Sequence, residues 1–141
     1  MSDAGKPNAN PSQNPADLGT LGGVMRWAFK KLLQSTDGML PAKVIAVDAK
    51  REYATVQPLI HVLATDNSLT PRAQVAKVPI FTIGAGNFVL SFPVKAGDLG
   101  WIFASDRDIS LYVQTNAAAG PNTNRLHSFE DGVFFPDKAR Q

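Results

Sequence analysis

The sequence predicts a mainly β protein: a small five-stranded antiparallel barrel preceded by one amphipathic helix and an extended N-terminal arm. Three observations lead there. Residues 1–19 carry Pro7, Pro11 and Pro15 among small polar residues, a composition that buries too little apolar surface to offset its own ordering entropy. Leu21, Val24, Met25, Ala28 and Leu32 then recur at three- and four-residue intervals, the period of a helix. After Gly38 the period falls towards two, and Gly, Pro, Asn and Asp separate short apolar runs, the pattern of strands joined by turns. The expected organisation is an arm over 1–19, a helix over 20–37, and a barrel domain with a closing C-terminal segment over 38–141.

Thr20 is the expected N-cap of the helix, Lys30 and Lys31 stand late where the dipole favours cations, and Asp37-Gly38 is a stop signal. Gly22 and Gly23 weaken the first turn. Trp27, Phe29 and Leu33 widen the apolar face beyond one stripe. The helix therefore packs either wholly on its own core or on two surfaces, its own domain and another chain. Its repeat lasts only about two heptads, too short for an independent coiled coil. Leu21, Val24, Met25, Trp27, Ala28, Phe29 and Leu32 are thus the candidate partner interface.

Among the strands, residues 39–47 and 52–63 are rich in Val, Ile, Leu and Tyr, with Asp48 to Arg51 as the hairpin loop between them. Pro58 inside the second run indicates an edge or a bulge. A polar break, "ATDNSLTPR", precedes a strand over 73–83, a turn at Gly84 to Asn87, a returning strand over 88–94 and a "KAGD" turn. The fifth strand, 99–105, is nearly continuous in apolar residues and is expected to be buried on both sides or at the barrel centre. The remainder holds a short apolar piece "ISLYVQT", a loop "NAAAGPNTN" and a last apolar run "GVFFP". Five strands with short turns and one helix outside them fit an oligonucleotide/oligosaccharide-binding (OB) barrel.

Composition removes several function classes. The 141 residues include no Cys, so disulfides, thiolate metal sites and cysteine redox chemistry are excluded. Fourteen Lys+Arg against 12 Asp+Glu give a net charge of +2, too weak for an electrostatic footprint on nucleic acid or anionic lipid despite a pI near 9.0. No apolar run approaches the roughly 18 residues of a membrane span, and the N-terminal stretch lacks the apolar core of a signal peptide, so synthesis in the cytoplasm without membrane insertion is expected. Of the two histidines, His61 falls in a strand run as a sheet residue and His127 lies in "RLHSFED" without a nucleophile elbow. Gly84-Ala85-Gly86 lacks the third glycine and the following helix of a dinucleotide site and reads as a hairpin turn. Asp106 and Asp108 lack the further ligands of a calcium loop and read as a solvated turn around Arg107. The expectation is no enzyme, metal or cofactor. An OB module binding single-stranded nucleic acid or a glycan is the alternative, through Tyr53, Phe81, Phe88, Phe92 and Trp101 with Lys43, Arg51, Arg72 and Lys77 nearby in sequence. Such aromatics in a small barrel more often form its core. An enzyme subunit completed at an oligomer interface is a third possibility.

One ordered set of motifs goes beyond generic pattern. Val78-Pro79 leads to Gly84 and Gly86, then to Phe92-Pro93 with Gly97-Asp98 and Gly100, then to Asp106-Arg107-Asp108, and last to Arg125, His127 and Pro136. Over roughly residues 39–136 this order resembles the N-terminal OB domain of phage Gp138-type membrane-puncturing spike proteins, related to baseplate assembly protein V. Read physically, these positions are architectural. Gly97 permits a positive φ, Asp98 accepts hydrogen bonds from turn amides, and Gly100 admits a close neighbour. Arg107 is placed to pin the following segment, and His127 is a structural polar residue of the closing loop.

The resemblance implies a virion component: a homotrimer on the axis of a contractile tail baseplate, joining the hub or tail tube to the piercing tip during host entry and genome ejection. Family chains continue into a triple-stranded β-helix and an apex iron held by histidines. This sequence runs to "PDKARQ" without such a motif, so the tip is expected on a separate protein or beyond this C-terminus. The arm and helix precede the matched region and are the expected attachment to hub or tube.

Overall fold

The computed structural model describes residues 19–64 and 66–138; of the arm expected over residues 1–19, residues 1–18 lie outside them. The chain forms two compact units, one from the helical segment up to Ser35 together with His61–Pro71, the other from Thr36–Ile60 together with the chain from Arg72 onward.

In the first unit, helix α1 spans Leu21–Ser35. Thr20 caps it, its Oγ1 accepting the Gly23 amide at 3.0 Å and its carbonyl the Val24 amide at 3.1 Å. The line Gly23, Trp27 and Lys31, spaced four apart, is the less exposed side, and the Lys31 ammonium lies 5.9 Å from the Trp27 ring centroid. The same unit holds a hairpin of β3 (Val62–Leu63) and β4 (Leu69–Thr70). Its turn is closed by the Ala64 amide on the Ser68 carbonyl, with Asn67 at φ 65°. The polar break "ATDNSLTPR" therefore contains a strand, β4, that pairs with β3 just before it. His61 lies outside any strand and is exposed, correcting its placement in a sheet.

The second unit is the barrel. Its strands are β1 (Met39–Val47), β2 (Tyr53–Pro58), β5 (Val75–Pro79), β8 (Leu99–Arg107) and β9 (Leu126–Pro136), in the order β5-β2-β1-β8-β9 with every pair antiparallel. Between β5 and β9 the ends nearly close. Ile80 bridges Phe134 in parallel, and the Phe81 amide donates to the Phe134 carbonyl at 2.9 Å. Strand β1 serves both halves, pairing with β8 through Met39 to Lys43 and with β2 from Ala42 onward. This Greek-key order is that of a five-stranded, partly open OB barrel.

Alternation sends Ala42 and Val44 of β1, Ala54 and Val56 of β2, Val78, Ile102 and Phe134 inward, where Val94 and Phe129 join them as the buried core. The Asp48 to Arg51 loop turns as expected: Asp48 Oδ1 accepts the Glu52 and Tyr53 amides at 2.8 and 3.1 Å. The "KAGD" turn is as local. Gly97 has φ 96°, Asp98 Oδ2 accepts the Lys95 amide at 3.1 Å, and the Gly97 amide and Asp98 carbonyl bond to the backbone of Val44. At Gly100 an added Cβ would strike the Phe135 carbonyl and lie 2.5 Å from Phe134 Cζ, so the strand crossing needs glycine there.

Four expectations are corrected. The run 52–63 is not one strand: β2 ends at Pro58, which is buried and pairs with Ala42 of β1 as the last rung, beyond the residues that pair with β5, so it has a ladder partner on one side only, as an edge position does. A proline fits there because the next ladder bond is made by the Leu59 amide to the Pro41 carbonyl. The run 73–83 likewise stops as a strand at Pro79. The expected fourth barrel strand, 88–94, is outside the barrel. Only β7 (Phe88–Leu90) is strand, and it pairs with β6 (Ile83–Ala85) as a separate two-stranded hairpin turning at Gly86-Asn87, tighter than the four-residue turn expected. The fifth barrel strand is instead β9, which merges "RLHSFED" and "GVFFP". Finally, β8 is buried on one face only: Gly100 and Ile102 face the core while Phe103 is exposed. The piece "ISLYVQT" contributes helix α2 (Ser110–Thr115) between β8 and β9.

Gly100→Ala is expected to destabilise the fold by about 1–3 kcal/mol through overpacking, read as a lowered midpoint in thermal or urea unfolding. Gly120→Ala, where an added Cβ meets nothing within 4 Å, is the control and is expected to leave the midpoint unchanged or slightly raised.

Candidate assembly surfaces and the clamp that shapes them

Strand β9 does not pair evenly. Gly132 opposes Ala104 and Ser128 opposes Ser105, so Phe129, Glu130 and Asp131 have no partner on β8. This three-residue bulge turns Phe129 into the core and buries Asp131, which is 3% exposed. Burying a carboxylate requires a counter-charge and hydrogen bonds. Arg125 supplies both, its Nε and one terminal nitrogen reaching the two Asp131 oxygens at 3.1 Å each, a bidentate pair. The same guanidinium reaches Asp108 at 3.3 Å and Glu130 at 3.1 Å. Asp108, also buried, accepts the Thr123 hydroxyl at 2.7 Å and the Ser110 amide at 2.8 Å. These hydrogen bonds, Thr123 first, and then the Arg125 charge hold its carboxyl well below the usual carboxylate range.

The other flank of the bulge is tied by Asp37. Its Oδ2 accepts the Phe129 amide at 3.1 Å, its Oδ1 pairs with Arg72 at 3.1 Å, and its own amide donates to the His127 carbonyl at 3.0 Å. The Arg72 guanidinium lies 5.9 Å from the Phe129 ring centroid.

This arrangement revises the reading of the "DRD" segment. Asp106 and Arg107 belong to β8, and Asp108 is buried rather than solvated. The arginine that reaches Asp108 is Arg125 rather than Arg107, which faces Leu126 in the ladder. His127 sits within β9 at φ 46°, with Nδ1 3.6 Å from the exposed Asp106. Pro79 and Pro136 end β5 and β9. Beside the clamp an open groove of about 550 Å³ is lined by Tyr53, Lys77, Val113, Gln114 and Glu130 among others. The carboxylates around it are engaged, Asp48 by backbone amides and Glu130 and Asp131 by Arg125.

Large apolar side chains stand outside the cores. On α1, Leu21 (77% exposed), Val24, Met25, Phe29, Leu32 and Leu33 are exposed together with Ala28, while Trp27 is half-buried on the other side. On the β6–β7 hairpin, Phe88 is 72% exposed and Val89 66%, with Ile83 and Leu90 about half exposed. Gly84 lets the two strands meet, since a Cβ there would lie 2.7 Å from the Phe88 carbonyl. On the outer sheet face Phe81 stacks on Phe135 at 4.2 Å between centroids, and Phe103 meets Phe135 edge-on at 5.8 Å. A groove of about 300 Å³ lies between Phe92, Pro93, Val94, Leu99 and Pro136.

The aromatics considered for base stacking lie on separate elements. Tyr53 is in β2, Phe88 in β7, Phe81 is stacked on Phe135, and the Trp101 indole donates to Asp137 at 2.9 Å. Phe88 and Phe92 are exposed rather than core; the core aromatics are Phe129 and Phe134, both in β9. Nothing in the local sequence signals the hairpin's exposure or the Arg125 cluster, whose partners come from both sides of a loop.

A small Greek-key barrel with a glycine-dependent strand crossing, an ionic clamp on its closing strand and exposed apolar faces defines an OB-type barrel domain. Residues 40–137 match the family described as phage protein Gp138 N-terminal domain, and the chain belongs to that family. The match runs from β1 to just past β9 and leaves α1 outside. No curated protein matches the chain. Membership implies a structural phage component, in line with the ordered motifs from Val78-Pro79 to Pro136.

Because the Asp108 carboxyl is held below its ordinary value of 3.8, its contribution to stability is full above that value and is lost progressively as pH falls from there through the lowered value it has in the fold. Thermal melts are expected to be level from about pH 7 to 5 and to fall steeply below about 4. Thr123→Val, which removes the leading hydrogen bond, should lower the melting temperature at pH 7 and flatten the acid limb.

Proposed function

We propose that this chain is a structural subunit of a contractile phage tail baseplate. In this reading it is a homotrimeric central spike or hub adaptor that links the tail tube or hub to a cell-puncturing tip during host entry, and it works without enzymatic activity or a cofactor. The observation that carries the reading is the amount of apolar side chain left uncovered on so small a chain. Six large apolar residues of α1 and four of the β6–β7 hairpin are exposed, beyond the scattered exposure that is normal on a monomer. Membership of a phage protein family supports reading that surface as one used in assembly. The α1 face, outside the matched region, is the candidate contact with hub or tube, and the barrel the candidate contact between copies. A spike must bear load, and a barrel clamped at its closing strand suits that task.

Light scattering on the purified chain tests the first step. The expected mass is about 45 kDa, three times the 15.1 kDa of one chain. A monodisperse monomer at micromolar concentration, still monomeric with the hub protein present, contradicts the reading. Phe29→Asp with Leu32→Asp is expected to leave the barrel's melting temperature unchanged and abolish capture by hub or tube protein. For the nucleic-acid alternative, no binding of short single strands is expected even at low salt. Binding that weakens steeply with salt and is lost in Trp101→Ala would favour that alternative instead.

A further inference from the structure

Helix α1 turns its apolar side to water. The side withdrawn from solvent is the narrow line of Gly23, Trp27 and Lys31, and the opposite arc carries Leu21, Met25, Phe29, Leu32 and Leu33, each more than half exposed. The helical period places Arg26 and Lys30 beside Phe29 and Leu33 on one border of that arc, and Lys31 beside Val24 and Ala28 on the other. None of these three cations has a carboxylate partner among the described residues; Lys31 lies over the Trp27 ring. All 12 Asp and Glu of the chain stand outside α1. The weak total charge of +2 therefore conceals a 15-residue segment whose charges are all positive and border an uncovered apolar face, and it is no guide to the local footprint on anionic lipid.

We propose that α1 binds the surface of an anionic lipid bilayer, lying along it with Phe29 and Leu32 at the level of the acyl chains and Arg26, Lys30 and Lys31 at the level of the phosphates. The charges decide the occupant. Whatever covers this face must be apolar in the middle and negative along both borders, which an anionic bilayer offers at every rotation of the helix on its surface. A second copy of the helix does not, because pairing two such faces gathers the cations of both along one seam with no acid in either helix to offset them. The long stems of Lys and Arg also suit a bilayer, covering apolar surface while their heads reach the phosphates. With 15 residues the helix lies on the membrane, and among the described residues no helix is long and apolar enough to cross one. The inference goes beyond the structural role above and concerns the chain while neither hub nor tube covers this face.

Flotation of the full chain with vesicles is the test, using phosphatidylcholine alone and phosphatidylcholine mixed with an equal share of phosphatidylglycerol. The chain is expected to float only with the phosphatidylglycerol vesicles, and less so as salt rises. Arg26→Gln/Lys30→Gln, at two exposed positions, is expected to weaken binding about 30-fold. Phe29→Asp/Leu32→Asp, also at exposed positions, is expected to abolish it, with the melting temperature of both variants unchanged. No flotation with phosphatidylglycerol vesicles at low salt overturns the inference, as does equal flotation with both kinds of vesicle. It is overturned too if either double variant floats as well as the unaltered chain, since the contact would then lie elsewhere. If vesicles are ignored while hub or tube protein captures the unaltered chain and not Phe29→Asp/Leu32→Asp, the face belongs to a protein: this inference falls and the structural reading stands.

Discussion

The barrel depends on one guanidinium. Strand β9 closes the sheet only by carrying three residues that β8 does not pair, and that irregularity buries Asp131 beside Asp108. Two carboxylates at such close quarters would repel each other and lose their hydration. Arg125 answers both at once and adds Glu130 at the rim. Its worth lies less in added stability, since buried ion pairs often break even against apolar replacements, than in fixing one register. With Asp131 held, Phe129 must point inward and Phe134 must fall five residues further on, over Gly100 and beside Ile80. Arg125, Asp108 and Asp37 thus set where the seam between β5 and β9 lies.

From that seam the outer surfaces follow. With Phe134 inside, alternation places Phe135 outside, where it stacks on Phe81. Phe81 in turn stands two residues before the β6–β7 hairpin. The hairpin occupies the connection between the third and fourth barrel strands, and its apolar residues find no place in a core already filled by short side chains, mostly Val and Ala. Phe88 and Val89 thus stay in water on the free chain, an exposed apolar pair that fits the proposed cover by another surface. This is the physical link between a clamped closing strand and the proposed role as a stiff, axial assembly piece.

What the sequence made legible is what local chemistry decides. The cap at Thr20, the bounds of β1, the Asp48 to Arg51 loop, and the Gly97-Asp98 turn each depend on neighbours a few residues apart, and each was readable. Gly100 was readable as a close approach, though not what approaches it. The errors concern pairing across the chain. Phe88 to Val94 looks as strand-like as any barrel segment, and nothing in its own residues says that β9, more than thirty residues later, takes its place in the sheet. The same holds at shorter range for the expectation that Arg107 pins the segment after it: Arg107 is next to Asp108 in sequence but lies in β8 opposite Leu126, while the loop after α2 returns Arg125 to the buried carboxylates. The family resemblance survived these errors because it rests on the order of turn glycines and prolines, which the topology preserves.

Hydrogen exchange on the assembled particle, compared with the free chain, tests the central claim that this protein functions through surfaces covered in assembly. The account predicts that the amides of Ile83–Leu90 and the exposed side of α1 exchange freely in the free chain and become strongly protected in the particle, while the barrel core is protected in both. Equal, fast exchange of the hairpin and the helix in both states would contradict it.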